Sequence, residues 1–464
     1  MSAESLIPPS VVSRAQSYGR LPFGFTPRFL ITLLIGLLWL IPAWWSRSWI
    51  AVMFLWDGLA FLVWLFDLLR LPASHEIEIG RQWSTPLSLG RPGSARIEIH
   101  NLTRVPLHAT FVDETPLAFR DEPPSIEVSL PAGELAYQDY AVQPQKRGDI
   151  SLGRLFLRYR TSLGLAERWA VASLAQSVRV MPDLVAARNY ALYLIRSRQV
   201  EMEKRRRRQR GIGREFEALR EYRQGDELRT VCWPATARRN ELITRTYQVE
   251  RSQSIWIVLD AGRLLRAQVH DPARSIFVSK LDCAVDAALA LAQVAVQSGD
   301  RVSLLAYGRT MQQSVGLGRG PQHLRTLLNA LALITGEAAE ADHTLAARTL
   351  LQVQSQRALI IWITDFAETA TIPEVIEHAV LMTRRHLVLF AAVSQADLTA
   401  LTHSVPATER DMFRYTAALE VAERRERLLR QLRDRGVLAI DMEPGALTDA
   451  VLNQYLEIKD RSLL

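Results

Sequence analysis

Two uninterrupted apolar runs near the amino terminus constrain this chain more than any other feature. Phe29 to Trp45 (FLITLLIGLLWLIPAWW) is 17 residues without a charge, and Trp49 to Phe66 (WIAVMFLWDGLAFLVWLF) is 18 residues carrying only Asp57. A membrane-crossing helix takes about 17–25 apolar residues, so both runs fall at the short end of that window. Only Ser46-Arg47-Ser48 separates them, which predicts an antiparallel hairpin. The runs are apolar all round instead of striped, and Trp44, Trp45 and Trp49 cluster where an interfacial belt belongs. A hairpin puts both flanks on one side of the bilayer. Arg14, Arg20 and Arg28 precede it, Arg70 and Arg81 follow it, and Arg47 lies in the turn. The positive-inside rule then gives a two-pass protein of the inner (plasma) membrane with cytoplasmic N- and C-termini. Asp57 sits mid-span, where a carboxylate costs roughly 2.5–3.5 kcal/mol on insertion scales. It either faces the first helix or contacts another membrane protein.

The chain has 464 residues, enough for about three structural units. Apolar residues make up 48% and charged residues 23%, which excludes general disorder; 56 basic against 49 acidic residues give a net charge of +7. Two cysteines, Cys232 and Cys283, cannot form a disulfide framework, a Cys-rich zinc site or an iron–sulfur cluster. A reducing compartment follows. No H-E-x-x-H, C-x-x-C, G-x-S-x-G or Walker-type motif occurs, so several enzyme classes lose their signature.

Between residues 75 and 182 the pattern changes to short alternating runs such as Ile77/Ile79, Ile97/Ile99 and Leu155/Leu157/Tyr159. Turn signals separate them, among them Arg91-Pro92-Gly93-Ser94 and Pro131-Ala132-Gly133. Period-two alternation at this turn density predicts a small β-sandwich. Lys204 to Arg210 (KRRRRQR) then carries six positive charges in seven residues. It reads as a solvated linker, or as a nonspecific binder of anionic lipid or nucleic acid, although no aromatic side chain interleaves it for base stacking.

From residue 254 onward, apolar strand patterns alternate with helical ones. SIWIVLD ends at Asp260, RVSLLAY spans Arg301 to Tyr307, RALIIWITD ends at Asp365, and HLVLFAAV spans His386 to Val393. Such alternation predicts a doubly wound, Rossmann-type α/β domain with ligands at the strand carboxyl ends, where Asp260 and Asp365 fall. The expected organisation is a tail (1–28), a membrane α-hairpin (29–70), a β-sandwich-like domain (75–182), a basic linker and signature segment (183–253) and the α/β domain (254–464).

The stretch GREFEALREYRQGDELRTVCWPATARRNELITRTYQVE, from Gly213 to Glu250, followed by a strand ending in aspartate, resembles the signature of the domain-of-unknown-function 58 family. The resemblance implies a membrane-anchored protein with a von Willebrand factor A-like domain and a MoxR-type AAA+ ATPase as partner. It also singles out Glu215, Arg220, Tyr222, Asp226, Arg229, Trp233 and Arg238, with Asp260, Gly262, Arg263 and Asp365, as a partner-binding surface. Metal-binding von Willebrand A domains end their first strand in Asp-x-Ser-x-Ser, because octahedral Mg²⁺ takes hard oxygen ligands. Here Gly262 and Leu264 stand where the serines would be, and no threonine stands out in the glycine-rich loop Gly316 to Gly320. The expected cofactor is therefore none, or a weakly held Mg²⁺ on Asp260 and Asp365. The competing role for Asp260 is to cap the following loop, or to pair with Arg263 or Arg238. The functional expectation is an adaptor or scaffold that binds protein partners in assembly or quality control. The alternatives are a Mg²⁺-dependent hydrolase using Asp260 and Asp365, or a nonspecific nucleic-acid or lipid binder through Lys204–Arg210.

Overall fold

The computed structural model describes residues 7–120, 122–187, 189, 215–222, 231–239, 241–248, 252–366 and 372–461. The chain divides into two compact units: Met1–Met181 with Pro272–Ile276, and Pro182–Asp271 with Phe277–Leu464.

In the first unit the amino-terminal residues are strands rather than a tail. Strands β1 (Val11–Arg14), β2 (Gln16–Ser17) and β3 (Phe23–Phe25) precede the helical hairpin. After it come β4 (Ile77–Trp83), β5 (Gly93–Asn101), β6 (Leu107–Asp113), β7 (Ser125–Leu130), β8 (Leu135–Val142), β9 (Gly148–Leu152), β10 (Leu155–Arg160), β11 (Ala166–Ala172) and β12 (Gln176–Val180). They form sheets of order β1-β4-β5-β8 and β2-β11-β10-β6-β7, with β3 also on β11, and a β9–β12 pair. Alternating residues bury one face of each strand, Ile77 and Ile79 with Ile97 and Ile99, Phe111 with Leu155, Leu157 and Tyr159. Arg81 is fully buried among them. It pairs with Asp113, which also accepts from Tyr140 Oη at 2.5 Å. Arg81 is thus a core cation and not a membrane-flanking charge.

The hairpin consists of helix Pro27–Gly36, a 3₁₀ turn Leu37–Trp39, a short helix Leu40–Ala43, and the long helix Ser48–Arg70. Among the described residues, Ser48–Arg70 alone is long and apolar enough to cross a membrane, with a mean hydropathy of 2.0. The first arm, Pro27–Ala43, is apolar but shorter, so two equal spans are replaced by one span-length helix and one interrupted arm. Pro42 gives the physical reason: its ring conflicts with the carbonyl of Leu38 and its nitrogen has no proton, which displaces the preceding turn from α geometry. Asp57 faces the first arm at Gly36, where any Cβ would also sit 2.8 Å from Trp56 Cδ1; Asp57 Oδ1 has no hydrogen-bond partner among the described residues. Trp39 stacks on Trp49, and Trp44 and Trp45 are 90% and 82% exposed at the turn.

Both ends of the hairpin grip one turn of the β-rich part of this unit. Thr26 caps the first helix, its Oγ1 donating to Gly164 O at 2.7 Å while accepting from Phe29 N. Asp67, in the last turns of the long helix, is fully buried. It accepts from Leu165 N and Ala166 N at 2.9 Å each, and from the Thr161 hydroxyl.

In the second unit, β13 (Glu215–Glu221) and β14 (Ile243–Gln248) pair antiparallel, with helix Trp233–Arg239 between them. Strand β15 (Ser254–Asp260) begins the main sheet, followed by the ribbon strands β16 (Gln268–Asp271) and β17 (Ile276–Ser279). The remaining main-sheet strands are β18 (Arg301–Tyr307), β19 (Met311–Gly318), β20 (Leu359–Thr364), β21 (Leu387–Val393) and β22 (Leu438–Met442). Their order is β19-β18-β15-β20-β21-β22, parallel throughout except for β19. The glycine-rich segment expected as a loop is instead the end of β19. Every residue of β15 is buried because helices cover both faces: Lys280–Gln297, Gly320–Leu333 and Leu447–Asp460 on one, His343–Val353, Ile372–Thr383 and Glu409–Asp434 on the other. The order reverses at β15, so the carboxyl ends of β15, β18 and β20 border the position where such sheets open a crevice.

Candidate functional site

Asp260 ends β15 and Asp365 follows β20, so parallel register brings both carboxylates to the same sheet edge. Both are buried, and each oxygen of each carboxylate has a protein partner. Asp260 Oδ1 accepts from Gly262 N at 2.7 Å and Oδ2 from Thr364 Oγ1 at 2.6 Å. This is the loop-capping role; Arg263 turns away to Glu340 at 3.3 Å.

Asp365 is held by two cations. Lys280 Nζ lies 2.7 Å from its Oδ2, and Arg425 Nη1 lies 2.6 Å from its Oδ1. Arg425 extends the chain, donating from Nε and Nη2 to both oxygens of Asp441 at 2.8 and 2.7 Å. Such a two-toothed fork fixes the guanidinium plane. Lys280 is the first residue of its helix, set by a capping box in which Ser279 and Asp282 satisfy each other's backbone N–H groups. A cation there opposes the helix dipole, which is offset by the facing carboxylate. Burial lowers the Lys280 pKa, against the opposing pull of Asp365. For Arg425 burial also acts downward, but Asp441 and Asp365 outweigh it and the net shift is upward.

The second half of the cluster is aromatic. Trp362 Nε1 donates to Tyr307 Oη at 2.6 Å, and Tyr307 Oη lies 2.7 Å from His343 Nδ1. That bond runs from the phenol when the histidine proton sits on Nε2 and from the imidazole when it sits on Nδ1. Burial raises the pKa of Tyr307 well above its ordinary value and lowers that of His343. Burial likewise raises Asp260, opposed by His343, Thr364 and Gly262 N.

A segment after helix Gly320–Leu333 is strapped across this edge. Glu337 N donates to Ala261 O, Arg263 N to Ala339 O, and Asp342 N to Gly308 O, at 2.8–2.9 Å. The Glu337 carboxylate accepts from Arg309 N and Gln312 Nε2 at 2.8 Å. A Cβ at Gly262 would sit 2.8 Å from Ala341 N. The position that would carry a metal-binding serine therefore has no room for a side chain.

These residues do not fit Mg²⁺. Both carboxylates spend their oxygens on protein donors, two built-in cations supply the positive charge, and no group of three or more His, Cys, Asp or Glu residues able to hold a metal occurs among the described residues. The hydroxyl sought in a glycine-rich loop comes instead from Thr364, next to Asp365. Sequence reasoning missed Lys280 and Arg425. The available signal was a lysine at the first position of a helix, where the dipole disfavours it.

The other expected partner-binding residues fall on β13, on the short helix after it and outside the described residues. Glu215 and Arg220 lie in β13, and Tyr222 N donates to Leu242 O at 2.8 Å. Trp233 is 64% exposed at the start of the short helix that also carries the exposed Arg238. Asp226, Arg229 and the run Lys204–Arg210 lie outside the described residues.

Over 159 residues the chain is 29% identical to uncharacterized proteins of Mycobacterium tuberculosis (strain H37Rv) and Mycobacterium bovis, covering 34% of this chain and 48% of each relative. The chain thus spans about half the length of the curated relatives it matches. Among solved structures, the conserved hypothetical protein BatB from Bacteroides thetaiotaomicron is 14% identical with a TM-score of 0.31, covering 45% of this chain and all of that one. Proximal thread matrix protein 1 from the mussel byssus is 10% identical with a TM-score of 0.29, covering 43% and 45%. At the level of families, residues 218–403, from β13 through helix Ala396–His403, match the one described as Protein of unknown function DUF58.

Proposed function

We propose that this chain is a membrane-anchored adaptor whose von Willebrand A-like α/β unit binds a protein partner, a MoxR-type AAA+ ATPase, without a bound metal ion. The observation that carries this reading is the engagement of both Asp365 oxygens by Lys280 and Arg425. A buried carboxylate neutralised by side chains has no charge left to recruit Mg²⁺. The hydrolase reading finds little support in the same cluster, where the Tyr307 hydroxyl is committed to His343 and its pKa is pushed upward. Anchoring is supported by the apolar Ser48–Arg70 helix. A two-pass arrangement is supported by the attachment of both hairpin ends to the turn at 161–166, which keeps them on one side, and the cytoplasmic side by the basic residues flanking the hairpin.

The test is a titration of the purified ATPase against the full chain in nanodiscs, once in excess EDTA and once in excess Mg²⁺, without nucleotide. Equal affinity in both is expected. Binding that requires Mg²⁺ and disappears in Asp260→Ala would overturn the metal-free reading; absence of binding in both would overturn the partner.

A further inference from the structure

The geometry points to a site for the phosphate of an anionic lipid headgroup on the membrane-facing rim of the sandwich, formed by Arg28 and Arg160. The inference rests on the membrane-anchored reading above. Its starting point is the turn at 161–166, which both hairpin ends hold and which therefore lies where the apolar helices leave the bilayer.

Gly164 occupies this turn with φ +66°, a conformation that favours glycine. Two arginines converge over it: a Cβ on Gly164 would lie 3.0 Å from Arg28 Nη1 and 3.7 Å from Arg160 Cδ. Arg28 projects from the first turn of the first helix, and its Nη1 donates to Leu163 O at 3.3 Å. Arg160 is the last residue of β10 and stands opposite Glu167 in the ladder. That carboxylate is turned elsewhere, its Oε1 accepting from Trp169 Nε1 at 3.0 Å and its Oε2 lying 3.7 Å from Arg158. Among the described residues neither Arg28 nor Arg160 forms an ion pair. The two side chains pass over the same turn and bring two positive charges to one stretch of the rim, where a single anion is attracted by both. Planar guanidinium forks suit phosphate, and the half-exposed Phe25 and Leu163 beside them give the rim the mixed apolar and basic character of the headgroup layer.

The full chain in zwitterionic detergent is titrated with phosphatidylglycerol, with phosphatidylcholine and with inorganic phosphate, the thermal midpoint being followed in each series. Phosphatidylglycerol should raise the midpoint well above phosphatidylcholine. The Arg28→Gln/Arg160→Gln variant should weaken that response by about five-fold per arginine removed. Arg28→Lys/Arg160→Lys, which keeps the charge, should retain most of it, and Arg104→Gln, an exposed arginine elsewhere on the sandwich, should retain it fully. Equal responses to the two lipids, or no loss in the double glutamine variant, would overturn the site. An equal response to inorganic phosphate would overturn its assignment to lipid. Carbonate washing of cell membranes separates the two levels: release of the native chain would refute the anchoring itself, whereas retention without lipid preference refutes this site alone.

Discussion

Replacing Lys280 with methionine tests the built-in cation directly. Methionine keeps most of the aliphatic stem and removes the ammonium 2.7 Å from Asp365 Oδ2. The native cluster sets two cations, Lys280 and Arg425, against two carboxylates, Asp365 and Asp441; the variant leaves one cation for both. Breaking a buried pair from one side costs about 3–5 kcal/mol. Arg425 still holds the other oxygen of Asp365, so the loss belongs near the lower end, about 3 kcal/mol. At roughly 2–4 °C per kcal/mol, the α/β unit should melt about 6–12 °C lower. The cost of breaking the pair is not its net contribution. Burial holds the Lys280 pKa below the ordinary lysine value even with Asp365 alongside, so desolvation exceeds the attraction. Lys280→Met combined with Asp365→Asn should therefore recover at least about 1 kcal/mol relative to additivity. The assay is scanning calorimetry of the full chain in detergent at neutral pH, with Mg²⁺ and with EDTA. A Lys280→Met midpoint within about 1 °C of the native one, or a native midpoint raised by Mg²⁺, would refute the reasoning.

Three further perturbations follow from the same structure. Gly262→Ser restores a hydroxyl of the metal motif but drives Cβ against Ala341 N, so it should destabilise by about 1–3 kcal/mol without heat in a Mg²⁺ titration; a calorimetric Mg²⁺ signal would contradict this. His386 is buried with neither ring nitrogen hydrogen-bonded among the described residues, and burial lowers its pKa. The folded state thus binds fewer protons than the unfolded one, so stability is fully present above about 6.5 and is lost as pH falls toward the folded value. His386→Leu should flatten that acid limb in urea unfolding, and an unchanged slope would count against it. Asp67→Ala leaves the buried Ala166 N without an acceptor, at about 1–3 kcal/mol, and the part-buried Leu165 N at less, whereas Asp67→Asn keeps one acceptor oxygen and should cost far less. Hydrogen exchange at residues 161–166 should rise in the alanine variant and stay near native in the asparagine one.

The parts legible in the sequence were those written as continuous patterns. Strands β15, β18, β20 and β21 are apolar on both faces, so each reads as an unbroken run, and two runs end in the aspartates that meet at the sheet edge. The alternation of β4 to β6 and β10 was equally plain, because one face of each packs inward. What stayed hidden depends on partners distant in sequence. Lys280 and Arg425 lie 85 and 60 residues from Asp365, and Arg425 sits within a helix studded with other arginines that are exposed. Strand β2 is two residues long, below the reach of any periodicity. The Gly316–Gly320 segment suggested a loop by composition, but Gly318 ends β19, and a Cβ there would clash with His323 Nδ1.

The paired grip of Thr26 and Asp67 on one turn has a mechanical consequence. A domain tied to a membrane by a single strand of chain can swivel and tumble about its tether. Here both arms of the hairpin end on six consecutive residues, and the first arm is preceded directly by β3, which pairs with β11 of the same unit. With the hairpin seated in a bilayer, as proposed, tilt of the helices would be inherited by this β-rich unit as by a rigid lever, and local membrane thickness or curvature would set the angle at which the unit is presented to the solvent.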